Sequence, residues 1–152
     1  MARVRAVAAA VAECLRAEAG AGPVLVGHDR RFLGERLAET CAGVLAGQGV
    51  PVVRSRHPLA TPVASLAVRR RRLAAALLVT ASHNPPEYQG LKVLGPDGAA
   101  PCRAWTTGVE RRADAWLRQP APPEREAPRR WLDVTGSYRK ALVKLLGDGL
   151  RR

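Results

Sequence analysis

Residues 75–80 read Ala-Ala-Leu-Leu-Val-Thr, a run that is apolar almost throughout and shows no alternation. Such a strand has no face to give to water, so it must lie between two covering layers, as a central strand of an α/β sheet does. The chain from 23 to 94 supplies those layers. Val24-Leu25-Val26 is a first strand, and Pro51-Val52-Val53 is a second. Between them Leu33, Leu37, Cys41, Val44 and Leu45 mark one face of a helix that stops at Gly47 and Gly49. Thr61 is an N-cap candidate with Pro62 at the first helical position, and Val63, Leu66 and Ala67 continue the buried face of that helix. Leu91 to Leu94 is a further strand. Its link from Thr80 is too short for a helical crossover, so it must run antiparallel to the central strand. Upstream, Val4, Val7, Val11 and Leu15 recur at helical spacing and predict an amphipathic first helix. The expected fold is a three-layer α/β/α sandwich around a four-stranded mixed sheet whose last strand is antiparallel, followed by a C-terminal linker and helix.

After the turn Gly95-Pro96-Asp97-Gly98 a helix is expected around 103–118, and residues 119–130, rich in proline and charge, read as an exposed linker. Leu132, Val134, Tyr138, Leu142, Leu145 and Leu146 stand near helical spacing. The expected division is therefore one domain over 1–118, a linker over 119–130 and a helical segment over 131–152.

The net charge of +12 raises the question of nucleic acid. All but three of the 25 basic residues are arginines scattered through an alanine-rich chain, and no aromatics interleave with them as stacking platforms. The densest run, Arg69 to Arg72, closes a predicted helix, where cations meet the negative end of the macrodipole. No nucleic-acid partner is expected. Cys14, Cys41 and Cys102 are odd in number and form no C-x-x-C pair, so they read as reduced thiols. Glu13, Arg16 and Glu18 interrupt the N-terminal apolar stretch too early for a signal peptide, and no stretch is long and apolar enough to span a bilayer. A cytoplasmic protein with no membrane partner is the expectation.

Chemistry concentrates in Thr80-Ala81-Ser82-His83-Asn84-Pro85-Pro86, which emerges beyond the carboxyl end of the central strand, where open α/β sheets bind ligands. Ser82 is the candidate nucleophile. His83 is not its triad base, since adjacent residues of extended chain point oppositely, and no G-x-S-x-G elbow surrounds the serine. These residues also suit a turn whose side chains satisfy backbone groups.

The stretch from Thr80 through Gly90-Leu91-Lys92-Val93 resembles the active-serine signature of the α-D-phosphohexomutases, the phosphoglucomutase/phosphomannomutase family, T-A-S-H-N-P-x-x-x-N-G-[FI]-K. Gln89 stands where asparagine is usual, and Leu91 where phenylalanine or isoleucine is usual. Gly27-His28-Asp29-Arg30-Arg31 is similar to the family's G-x-D-[ST]-R, with Arg30 in place of the hydroxyl residue. Pro58-Leu59-Ala60-Thr61-Pro62 resembles its P-T-P-T-P segment.

The resemblance implies the family's first domain, without its usual first hairpin, leading towards an absent second domain. It implies that Ser82 carries a phosphate and exchanges it with the 1- and 6-positions of a hexose phosphate, an intramolecular phosphotransfer classed as isomerisation. Lys92, His83 and Arg31 are the accompanying site candidates, as cations that neutralise transferring oxygens, with Lys92 also able to move a proton. It further implies Mg2+ bound through the Ser82 phosphate, the remaining ligands being carboxylates of another domain, since no D-x-D-x-D stretch occurs here. On this reading the chain is a fragment inactive on its own, with the missing domains as a candidate partner chain. The alternative is a standalone non-catalytic domain of the same scaffold that binds a sugar phosphate or a protein.

Overall fold

The computed structural model describes residues 1–18 and 22–147; the last positions of the segment expected over 131–152 lie outside the described residues. Strands β1 (Val24–His28), β2 (Val52–Ser55), β3 (Ala75–Val79), β4 (Leu91–Leu94) and β5 (Trp131–Leu132) form one sheet in the order β4-β3-β1-β2-β5. β1 pairs in parallel with β2 and β3, and β4 runs antiparallel to β3 with Leu78 opposite Lys92. Among the described residues five helices flank it: α1 (Ala2–Ala17), α2 (Gly34–Gly47), α3 (Thr61–Arg71), α4 (Arg103–Trp116) and α5 (Thr135–Leu146).

Alternation along each strand divides the core into two layers. Val24, Val26, Ala75, Leu77 and Val79 pack under α1, α2 and α4, whereas Leu25, Ala76 and Leu78 pack under α3. All five residues of β3 are buried, as its unalternated sequence demands. Each large side chain fully buried in this way contributes about 1.5–3 kcal/mol. Cys41 lies within the first layer, where burial pushes its thiol up from its ordinary 9.0 to about 12. The folded chain therefore holds that proton more tightly than the unfolded one. The resulting stability is complete below pH 9 and is lost as pH climbs towards 12.

Three sequence expectations need correction. The sheet has five strands, not four: Trp131–Leu132 pairs in parallel with Arg54 and Ser55 at the far edge. A two-residue strand carries no periodicity of its own. It exists because Arg54 and Arg56 donate backbone hydrogen bonds to the carbonyls of Arg130 and Leu132. Leu33 is not on the buried face of α2; it precedes the helix with φ of 61° and is exposed. Thr61 is the first helical residue rather than the cap, which is Ala60.

The segment 119–130 lies as a strap across α2. Arg125 N–H donates to the Gly43 carbonyl at 3.1 Å, and Glu124 pairs with Arg5 of α1 at 3.0 Å. Gly43 and Gly47, one helical turn apart, make room for it, since a Cβ at Gly47 would collide with the Pro123 carbonyl. The strap carries the chain from the α4 side of the sheet to α5, which meets α3 on the other side; Arg70 Nη1 donates to the Ser137 carbonyl there. α5 buries none of its residues, leaving Val143, Leu145 and Leu146 exposed. Gly47→Ala is expected to lower stability by about 1–3 kcal/mol, the usual cost of overpacking. Chemical denaturation checks this, and Gly49→Ala is an unsuitable stand-in because Gly49 sits at φ 78°.

Candidate active site

The order of the sheet fixes where the site lies. From β1 the chain crosses to β2 on one side and then to β3 on the other, so the crevice between the carboxyl ends of β1 and β3 is the switch point of the fold. The loop after β1 brings Asp29 and Arg31, and the loop after β3 brings Ser82. Asp29 N–H donates to the Val79 carbonyl at 3.1 Å, which ties the two strand ends together.

Arg31 organises the second loop. Its Nη2 donates to the carbonyls of Ser82, at 3.1 Å, and Asn84; its Nη1 donates to those of Pro85 and Tyr88, the latter at 3.2 Å. Nε donates to Asp29 Oδ2 at 3.2 Å, and Asp29 Oδ1 accepts the Arg31 N–H at 3.0 Å. A guanidinium has five N–H donors. All of them are committed here, four to loop carbonyls and one to the carboxylate that aims it.

Within the loop Ser82 has φ of 55°, a left-handed conformation that costs a non-glycine residue about 1–2 kcal/mol. Its N–H donates to Thr80 Oγ1 at 3.1 Å, and Asn84 N–H closes a turn on the Ala81 carbonyl at 3.0 Å. Thr80 N–H donates to the Gly90 carbonyl at 3.0 Å. A Cβ at Gly90 would press to 3.0 Å from the Thr80 carbonyl oxygen, so a larger residue there would have to push that backbone aside.

Lys92 reaches the serine from β4. Leu91 and Val93 pack against the α1/α2/α4 layer, so Lys92 takes the opposite face, and its Nζ lies 3.3 Å from Ser82 Oγ. Ser82 is exposed and Lys92 half-buried. His83 is exposed, and its ring makes no hydrogen bond among the described residues. The structure thus brings Ser82, Lys92 and Arg31 together and leaves His83 facing outward beside them.

Sequence reasoning quoted Asp29, Thr80 and Gln89 within its motifs but gave none of them a role. Gln89 Nε2 donates to the Phe32 carbonyl at 2.6 Å, bridging the two loops, while its Oε1 is buried without a partner. Asp29 was within reach of inspection, two residues before an arginine on the same loop. Thr80 and Gln89 both lie within the signature stretch, but nothing local marks the hydrogen bonds they make.

Lys92 Nζ sets a cation beside the exposed Ser82 hydroxyl on a backbone held by Arg31, an arrangement that can offset negative charge at that oxygen. Among the described residues no three His, Cys, Asp or Glu side chains cluster as metal ligands. Because Asp29 is spent on Arg31, these residues do not by themselves fit a Mg2+ site.

Comparison with known proteins bears on the family and the fold. Residues 1–119 match the family model described as phosphoglucomutase/phosphomannomutase, alpha/beta/alpha domain I. A phosphoglucomutase of Staphylococcus saprophyticus is 36% identical over 95 residues, 62% of this chain and 17% of that protein. A Thermus thermophilus structure named for phosphomannomutase superposes with a TM-score of 0.83 at 34% identity, over 95% of this chain and 32% of that one. A phosphoglucomutase/phosphomannomutase family protein from Burkholderia thailandensis gives 0.75 at 29% identity, over 93% and 31%. The chain thus spans about a sixth of the curated relative and about a third of the solved ones.

Arg31→Lys is expected to release the loop, because a point-charged ammonium cannot reproduce the planar fork. Amide hydrogen exchange at Asn84 and Tyr88 should accelerate at least about tenfold, equivalent to about 1.4 kcal/mol. Exchange in β3 should be unchanged, and equal acceleration there would show global rather than local loosening.

Proposed function

Since the chain belongs to the phosphoglucomutase/phosphomannomutase family as its α/β/α domain I, we propose that it supplies the phosphoryl-carrying serine of a hexose-phosphate mutase, with Ser82 as that residue. The observation that carries the reading is the 3.3 Å approach of Lys92 Nζ to Ser82 Oγ on a loop locked by Arg31.

In the proposed reaction a phosphorylated Ser82 gives its phosphoryl group to a free hydroxyl of a hexose 1- or 6-phosphate. The bond from phosphorus to Oγ breaks as a bond to the sugar oxygen forms. The resulting bisphosphate then returns its other phosphate to Oγ. As the sugar oxygen bonds phosphorus its hydroxyl releases a proton to solvent at the exposed loop, charge builds on Oγ, and Lys92 offsets that charge and gives Oγ the proton it takes up. In the return step Oγ hands this proton back to Lys92, and the sugar oxygen regains one from solvent.

Arg31 enters as a positioning residue, since its donors are taken before any phosphate arrives. His83 remains a candidate contact for substrate at the mouth. In the family resemblance a Mg2+ ion accompanies the serine phosphate, and it would supply charge neutralisation there. On this reading, carboxylates outside the described residues complete its site, and no step above depends on it.

Incubation with glucose 1,6-bisphosphate is expected to add one phosphoryl group to the chain by intact mass, mapped to Ser82 by fragmentation and absent in Ser82→Ala. Lys92→Ala should slow that addition about 10²–10⁴-fold, the range for loss of a general acid. Phosphate at any other residue would reject the assignment. A second expectation is that for the 152-residue chain alone this transfer is slow and is read as a single event over hours, so that a coupled assay finds no sustained interconversion of glucose 1- and 6-phosphates, with or without Mg2+.

A further inference from the structure

Where the strap stands away from the first half of α2, it encloses a cleft of about 830 Å3 that the proposed phosphotransfer does not use. Its walls include Arg36 and Glu39 of α2, Arg54 of β2, Glu124 and Arg125 of the strap, and Trp131 of β5. This volume lies within the range of about 300–1,000 Å3 common to small-molecule sites.

The charges of the cleft do not cancel. Its three glutamates are each taken by an arginine: Glu39 by Arg54 at 3.0 Å, Glu124 by Arg5 at 3.0 Å and Glu126 by Arg129 at 3.6 Å. Arg36 and Arg125 line the same concavity, and among the described residues neither side chain makes an ion pair or a hydrogen bond. Two uncommitted guanidinium groups facing one hollow focus positive potential into it. Each offers the planar donor fork that matches a phosphate.

Trp131 adds a ring to this cationic hollow. The Arg54 guanidinium is stacked on it at 4.3 Å from the centroid and is held there by Glu39. The indole lines the cleft and is 41% exposed, although it is a large apolar group. An exposed aromatic fixed on one side by a guanidinium, next to unpaired arginines, is suited to a ligand that is planar at one end and multiply anionic at the other.

We propose that this cleft binds a nucleoside diphosphate, with the phosphates on Arg36 and Arg125 and the base against Trp131. The inference is independent of the role given to Ser82. In the same fold the cleft shares Arg36 and Glu39 with a smaller hollow that runs along Asp29, Arg30 and Arg31.

Calorimetric titration of the full chain with ADP, and separately with inorganic pyrophosphate, tests the proposal. ADP should bind at a single saturable site. Arg36→Ala/Arg125→Ala should weaken it at least tenfold, and a melting curve should match the parent because neither side chain bonds to the fold. Trp131→Leu should weaken ADP while leaving pyrophosphate unchanged. Arg111→Ala/Arg118→Ala, which removes exposed arginines from the other side of α1, should have no effect. Three results would overturn the proposal: no saturable binding of ADP, equal weakening by the Arg111/Arg118 pair, or pyrophosphate binding as tightly as ADP. Ser82→Ala leaves the expected affinity intact, so loss of the phosphoserine assignment and loss of this one are separately readable.

Discussion

One guanidinium holds the functional end of this domain in shape. The loop after β3 must present Ser82 in a left-handed conformation that its side chain disfavours, and it must leave several carbonyls pointing inward with no strand or helix to receive them. Arg31 answers four of those carbonyls at once, and the Asp29 carboxylate aims it. A hydrogen bond from a charged donor is worth roughly 1.5–3 kcal/mol, so the set outweighs the local conformational cost. Rigidity at the serine is thus supplied from the neighbouring strand's loop, across the switch point of the sheet.

That dependence explains why the β1 and β3 ends must be adjacent. If another strand separated them, Arg31 would not reach the loop. The strand order β3-β1-β2 makes them neighbours, and the backbone bond from Asp29 to Val79 sets their relative height. Placing Lys92 on the antiparallel partner of β3 then brings a cation to the hydroxyl from the side opposite β1.

Much of this was legible in the chain. The unbroken apolar run 75–80 announced the central strand, the short link to Leu91 announced its antiparallel neighbour, and the signature around Ser82 announced the family. What escaped reading has a common physical character. β5, the strap and the bridge from Gln89 to Phe32 all consist of contacts between distant segments, and they leave no periodicity behind. The proline-rich composition of 119–130 is that of a linker, yet Gly43 and Gly47 of α2 give it a bed to lie in. Arg31 was found as a cation and not as a brace, because its charge is written in its name whereas its five partners are written in the fold.

The same lysine has a second effect that follows from its place in the sheet. β4 is an outer strand, so its far side offers unsatisfied backbone groups to any other extended chain. It is only four residues long, and Lys92 stands near its middle. The opposite margin is the two-residue β5. Neither border is long enough to template growth of the sheet by another molecule, and at β4 the lysine that lies beside the Ser82 hydroxyl also sets a charge on the margin.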